Sequence, residues 1–199
     1  MLILQLITMS LTRRSRQGKL HLIFGPMYAG KTTELIRLKD RAENAGKKTI
    51  AIKYYKDVRY DNQQLSTHDK IKRSAICSHG SCLKKTIESI IDIEQYDCFF
   101  IDEIQFYEDG AEVSDNLANL GYEVVVCGLQ GDFKRHTFKV IADLIGLADQ
   151  FTHLTAIDRE TGNEASFTAR FSGEIEQEVI GGEDKYIATD RDHYLKINK

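Results

Sequence analysis

Eight consecutive residues, Gly25, Pro26, Met27, Tyr28, Ala29, Gly30, Lys31 and Thr32, fill the G-x-x-x-x-G-K-[ST] pattern at every fixed position. The spacing has a physical meaning. Glycines let the backbone curl so that several amide N–H groups point inward at one anion, and a following helix adds the positive end of its dipole. Lys31 supplies a mobile cation for terminal phosphates, and Thr32 a hydroxyl ligand for Mg²⁺. An apolar run before the loop and a helical pattern after it give the context that a chance match lacks. The chemistry expected is the binding of a nucleoside triphosphate, with ATP as the donor.

A second group lies some seventy residues on. Asp102 and Glu103 follow four apolar residues, 98–101. A carboxylate at the carboxyl end of a buried strand can hold the metal directly or through its water. The adjacent acid points another way and can accept a proton. Asp102 is therefore expected at Mg²⁺ and Glu103 as general base toward a hydroxyl. An ATPase would use the same pair to position water.

The elements that carry these residues are readable from apolar patterning. Residues 20–24 form a short apolar run ending at Gly25, as a buried parallel strand would. Leu35, Leu38 and Ala42 recur at helical spacing, and Gly46 closes a helix predicted over 31–45. Strands are predicted over 49–54, 98–101 and 122–127, and helices over 83–91, 111–120 and 138–147. The polar stretch 56–70 is too long for a plain connector and is read as functional. Strands apolar throughout, alternating with helices, indicate an α/β fold with a parallel sheet covered on both faces. After about residue 150 short polar segments with glycines predict a small loop-rich lobe. The organisation expected is a basic, disordered extension over 1–18, an ATP-binding domain over 19–149 and the lobe over 150–199.

Bulk composition narrows the partners. The 199 residues are 42% hydrophobic and 29% charged, with a formal net charge of −3, which points to a small-molecule partner rather than nucleic acid. No run of about 18 apolar residues suggests a membrane span. Apolar residues 1–9 precede Arg13, Arg14, Arg16 and Lys19, the reverse of a secretory signal, so a basic tail or an organelle-targeting extension is the reading and the cytoplasm the default. Cys77, Cys82, Cys98 and Cys127 share no C-x-x-C pairing and read as small buried or loop residues in a reducing compartment.

Four segments in order, GPMYAGKTTEL (25–35), KDVRY (56–60), DEIQF (102–106) and GGEDKY (181–186), resemble the type II thymidine kinases. The similarity runs over residues 19–194. It implies a RecA-like P-loop NTPase core with a lasso-bearing small lobe, and transfer of the ATP γ-phosphate to the 5′-hydroxyl of thymidine, with deoxyuridine a further acceptor. Asp57, Val58 and Arg59 would join the phosphate site, together with Ile104 and Gln105 beside Asp102 and Glu103. Phe106, Phe133 and Phe138 would pack around the base, with Phe133 stacking on it. Gln177, Glu178, Val179, Ile180 and Gly181 would grip the thymine by main-chain groups, and Tyr186 would close over it. The resemblance also implies a homotetramer and feedback inhibition by thymidine triphosphate.

The chain departs from that family where its small lobe usually holds structural zinc. The equivalent positions are Asp158, Thr161, Asp190 and His193, with no cysteine among them. Zinc favours thiolate and imidazole in closed sites, so no zinc is expected. The lobe would instead be held by packing and hydrogen bonds, with Asp158 or Asp190 facing Arg159 or Arg191. Two other classes compete at this stage: a P-loop ATPase acting as a nucleic-acid motor or switch, and a nucleotide-binding protein that has lost catalysis. The low net charge and short chain weigh against the first. The presence of Lys31, Thr32, Asp102 and Glu103 weighs against the second.

Overall fold

The computed structural model describes residues 17–54, 64–66, 72–78, 80–171 and 185–198. Residues 1–16 of the extension predicted over 1–18, the phosphate-site residues Asp57, Val58 and Arg59, and the lasso residues 177–181 lie outside that set.

Six parallel strands make the central sheet: β1 (Lys19–Gly25), β2 (Thr49–Lys53), β5 (Ile76–Cys77), β6 (Cys98–Ile101), β7 (Glu123–Leu129) and β8 (Gln150–His153). Their order across the sheet is β5-β2-β6-β7-β1-β8. The strand bearing the phosphate loop, β1, is thus separated from the acidic strand, β6, by β7. Because all run parallel, the loop after β1 and the acids after β6 emerge at the same carboxyl edge, where ligands bind in open α/β sheets.

Alternation along each strand divides the core between two faces. Leu20, Leu22, Ile50, Ile52, Phe99, Ile101, Val124 and Val126 point to one side. Ile23, Ala51, Cys98, Phe100 and Cys127 point to the other, where Leu35 and Ile36 of α1 (Lys31–Asn44) cover them. Helices α2 (Leu83–Glu88), α3 (Gly110–Asn119) and α4 (Lys139–Leu147) cover the first side through Leu83, Val113, Leu117, Ile141 and Leu144. Both faces are buried, so the strands read as continuous apolar runs.

The structure differs from the sequence reading in two places. Helix α2 ends at Glu88 rather than 91, where the Ser89 hydroxyl turns back to the Thr86 carbonyl at 2.7 Å and competes with the helical ladder. Its start is capped from afar: Asp109 accepts the N–H groups of Leu83 and Lys84 at 2.7 and 2.9 Å. Residues 150–153, assigned to the small lobe, instead complete the main sheet as its edge strand β8, pairing with β1.

The lobe beyond it consists of two antiparallel pairs and one short helix. Strand β9 (Ala156–Ile157) pairs with β10 (Glu164–Ala165), and β11 (Phe167–Arg170) with β12 (Tyr186–Thr189), followed by α5 (Arg191–Ile197). A further antiparallel pair joins β3 (Gln64–Ser66), within the polar stretch 56–70, to β4 (Lys72–Ser74) just beyond it. The four cysteines are free thiols, with Cys98 and Cys127 buried. Among the described residues no helix is long and apolar enough to cross a membrane.

Candidate active site

The phosphate loop closes on backbone geometry that its sequence permits. Gly30, at the start of α1, has φ 79° and ψ 20°, a left-handed conformation open to glycine at no steric cost. Gly25 answers a different need: a Cβ there would lie 2.2 Å from the Leu154 carbonyl oxygen, backbone that is tied to β1. Lys31 reaches across the loop and donates to the Pro26 carbonyl at 2.7 Å. Tyr28 holds φ 65° without being glycine, and its hydroxyl donates to the Tyr186 carbonyl at 3.1 Å. The Met27 N–H is taken by the Thr168 hydroxyl at 3.0 Å. Tyr28 and Ala29 also pack against Ala156, Ala165 and Ala188. The variable positions of the loop are therefore the seat on which the small lobe rests.

The acids stand where the sequence places them relative to the loop. The Thr32 hydroxyl lies 3.2 and 3.3 Å from the two Asp102 oxygens, across a separation of 70 residues. Two hard oxygen donors that close, at a helix start beside a phosphate loop, suit Mg²⁺. Asp102 is buried and also accepts the Glu103 N–H at 3.0 Å and the Cys127 thiol at 2.8 Å. Burial, with the Asp102 charge beside it, pushes the Cys127 thiol well above its ordinary pKa, so it remains a neutral donor to the carboxylate. Glu103 is half-buried with φ 53°, a left-handed backbone uncommon for a non-glycine and of the kind stored at functional sites.

Two residues grouped with the phosphate site are buried. The Ile104 side chain is in the core. Gln105 directs its amide at Glu103 and at β7. The aromatics fall into two groups. Phe106 stacks on Tyr54 at 4.8 Å and meets Phe138 edge-on at 6.5 Å, and Phe138 belongs to the core. Phe133 and Tyr186 share one partner that the sequence reading missed, the buried Arg170, whose guanidinium lies 3.9 Å from the Phe133 ring centre and 4.9 Å from that of Tyr186. Arg170 also donates to the Tyr186 hydroxyl, and the Tyr194 hydroxyl donates to the Phe133 carbonyl at 2.7 Å. A desolvated cation between two rings fixes them relative to each other. No local signal marks Arg170, Thr168 or Cys127, because each acts only through residues distant in sequence.

The four positions that replace a zinc set do come together, and they satisfy one another. Asp158 is buried and accepts from the Asp190 N–H at 2.9 Å, the Glu160 N–H at 2.9 Å and His193 Nδ1 at 2.8 Å. Asp190 caps α5 by accepting the His193 N–H at 2.8 Å, and takes the Thr161 hydroxyl and the Asn163 amide at 2.8 and 2.9 Å. Glu160 meets the other ring nitrogen of His193 at 2.9 Å. The partners of the carboxylates include His193, main-chain N–H groups and the Thr161 and Asn163 side chains. Arg191, expected to face one of them, lies over the Phe167 ring at 4.9 Å. A set whose imidazole nitrogens are both held by carboxylates, and whose other members are a threonine and saturated carboxylates, fits zinc poorly. Among the described residues no cluster of three or more His, Cys, Asp or Glu is arranged to hold a metal ion.

These carboxylates give the lobe an acid limit. The His193 N–H, then the Asn163 and Thr161 side chains, hold Asp190 down at about 2. Burial opposes ionisation of Asp158, but the Asp190 N–H, His193 and the Glu160 and Thr161 N–H groups outweigh it and keep its pKa below the usual value. A depressed carboxyl stabilises the fold above its unfolded pKa, and that contribution is lost as pH falls through the folded one. Near-ultraviolet circular dichroism is expected to show the lobe loosening between pH ~4 and ~2, and Asp190→Asn to remove part of that acid sensitivity.

A parallel sheet with a phosphate loop after β1, acids after β6 and β7 between the two strands defines an α/β protein with the layout of a P-loop nucleotide-binding site. The sequence profile described as thymidine kinase matches residues 18–194, and the chain belongs to the thymidine kinase family. Thymidine kinase 1 of Dictyostelium discoideum is 42% identical, over 89% of this chain and 78% of its own. The thymidine kinase of rabbit fibroma virus (strain Kasza) is 41% identical over 89% and 97%, and the cytosolic thymidine kinase of Bos taurus 41% over 90% and 73%.

Proposed function

We propose that the chain transfers the γ-phosphoryl group of ATP to the 5′-hydroxyl of thymidine, with Glu103 as the general base. The observation that carries the assignment of roles is the meeting of Thr32 and Asp102 at 3.2 Å with Glu103 directly beside them. Loop amides and Lys31 hold the β- and γ-phosphates. Mg²⁺ held by the Thr32 hydroxyl and the Asp102 carboxylate would neutralise charge on the phosphate oxygens. The 5′-oxygen forms a bond to the γ-phosphorus as the bond from that phosphorus to the bridging oxygen breaks, and Glu103 takes the hydroxyl proton. Phe133 and Tyr186, fixed by Arg170, present aromatic faces to the pyrimidine. Asp57, Val58 and Arg59 at the phosphates, and main-chain groups of 177–181 at the base, complete the proposal on the strength of family membership. Deoxyuridine as an acceptor, inhibition by thymidine triphosphate, a homotetramer and a cytoplasmic location rest on the same ground.

A coupled assay for ADP tests this reading. ADP release is expected only when thymidine is present. Equal release without it would identify an ATPase instead.

The lobe is proposed to hold its shape without zinc, because His193 and the carboxylates around it are consumed by mutual hydrogen bonds. Elemental analysis is expected to find far less than one zinc per chain, and chelators to leave the melting temperature unchanged. Stoichiometric zinc that melts the protein on removal would refute this reading of the lobe.

A further inference from the structure

The side chain of Gln105 is buried, with 6% of its surface exposed, and each end of its amide has one partner. Its Oε1 accepts the Leu129 N–H, at the end of β7, at 3.1 Å. A main-chain N–H can only donate, so this contact settles which end of the amide is oxygen. The Nε2 end must then face the other way, and there it donates to Glu103 Oε2 at 2.6 Å. The space for the amide is left by Gly128, where a Cβ would lie 2.5 Å from Gln105 Oε1. Glu103 and Gln105 flank Ile104 at the tight turn Ile104–Phe106, anchored where Ile104 enters the core.

We infer that Gln105 is a positioning residue for the reaction: it ties the Glu103 carboxylate to the end of β7 and so fixes where the proton acceptor sits relative to the loop. The inference rests on the reading of Glu103 as the base. A general base works only within hydrogen-bond reach of the proton it takes. Glu103 stands on a half-buried turn with a left-handed backbone, and an untethered glutamate side chain would populate several rotamers. A fixed donor 2.6 Å from one carboxylate oxygen selects among them. Strand β7 is also the strand that carries Cys127 against Asp102, so one rigid element holds both acids.

The test uses two substitutions of the full chain. Gln105→Glu keeps the volume and the acceptor for the Leu129 N–H and sets a second carboxylate against Glu103 in place of the donor. Gln105→Met removes both ends. Each is expected to lower kcat by ~10–10²-fold, the scale of a misplaced catalytic group, with KM for ATP and thymidine near the parent values and ATP-analogue affinity retained. Added to Glu103→Gln, the Gln105→Met change is expected to cost nothing further, because the group it positions is already gone. Three results would overturn the inference. A raised KM for ATP at unchanged kcat would make Gln105 a phosphate ligand. Losses that multiply in the double variant would show that Gln105 acts independently of Glu103. Full turnover in Glu103→Gln alone would remove the base itself, and that failure is visible without any change at Gln105.

Discussion

Glu103→Gln is expected to lower the rate of phosphoryl transfer by ~10²–10⁴-fold, the usual range for loss of a general base, while ATP binding stays near that of the parent. The substitution keeps side-chain volume and replaces only the proton-accepting oxygen. Glu103 emerges directly after Asp102, yet its backbone turns to φ 53°, so the two acids diverge instead of sharing one ligand. Asp102 is committed to the Thr32 hydroxyl, the Glu103 N–H and the Cys127 thiol. Of the pair, Glu103 is the one proposed to take a proton from an incoming hydroxyl. Single-turnover measurement with saturating ATP and thymidine separates the chemical step from product release. Retention of most of the parental rate would mean that another group, or none, accepts the proton.

The framework around these residues was readable because its strands are buried on both faces. Residues 20–24 and 98–101 have no polar alternation to confuse with a surface strand, and the observed strands extend past the predicted limits by no more than a residue or two. Strand β8 was not readable. It lies at the sheet edge with Phe151 47% exposed and His153 bonded to the exposed side of Gln130, so its composition is that of a loop. Strand β5, two residues long, has no pattern to read at all.

The site divides in the same way. The phosphate loop and the two acids are local motifs, each complete within a few residues and set next to a strand end. The groups that orient them are not. Cys127 looks like one more small apolar residue of a strand, and becomes a donor to Asp102 only because β7 is inserted between β1 and β6. Thr168 and Arg170 gain their roles when β11 is brought against the phosphate loop and Phe133. Gln105 was placed beside the phosphates by its position in a motif, whereas the Leu129 N–H turns its amide toward the base.

Lys31→Ala and Phe133→Ala are expected to weaken opposite substrates. Lys31 lies in the loop, with its ammonium 2.7 Å from the Pro26 carbonyl, and on the proposed reading it faces the triphosphate. Its removal deletes a charge-assisted contact of ~1.5–3 kcal/mol, which is roughly 10- to 150-fold in ATP affinity, and leaves thymidine binding largely intact. Phe133 is half-buried, with Arg170 at 3.9 Å on its ring. Its truncation removes a stacking face of ~1–3 kcal/mol, on the scale of base–aromatic platforms, and leaves the buried guanidinium without that ring. Thymidine binding should fall by ~5- to 150-fold, and ATP binding should change little. Calorimetric titration of each ligand into each variant reads all four affinities independently of turnover. Equal losses for both ligands in either variant would show that donor and acceptor are not held by separate groups, and that the assignment of Phe133 to the pyrimidine is wrong.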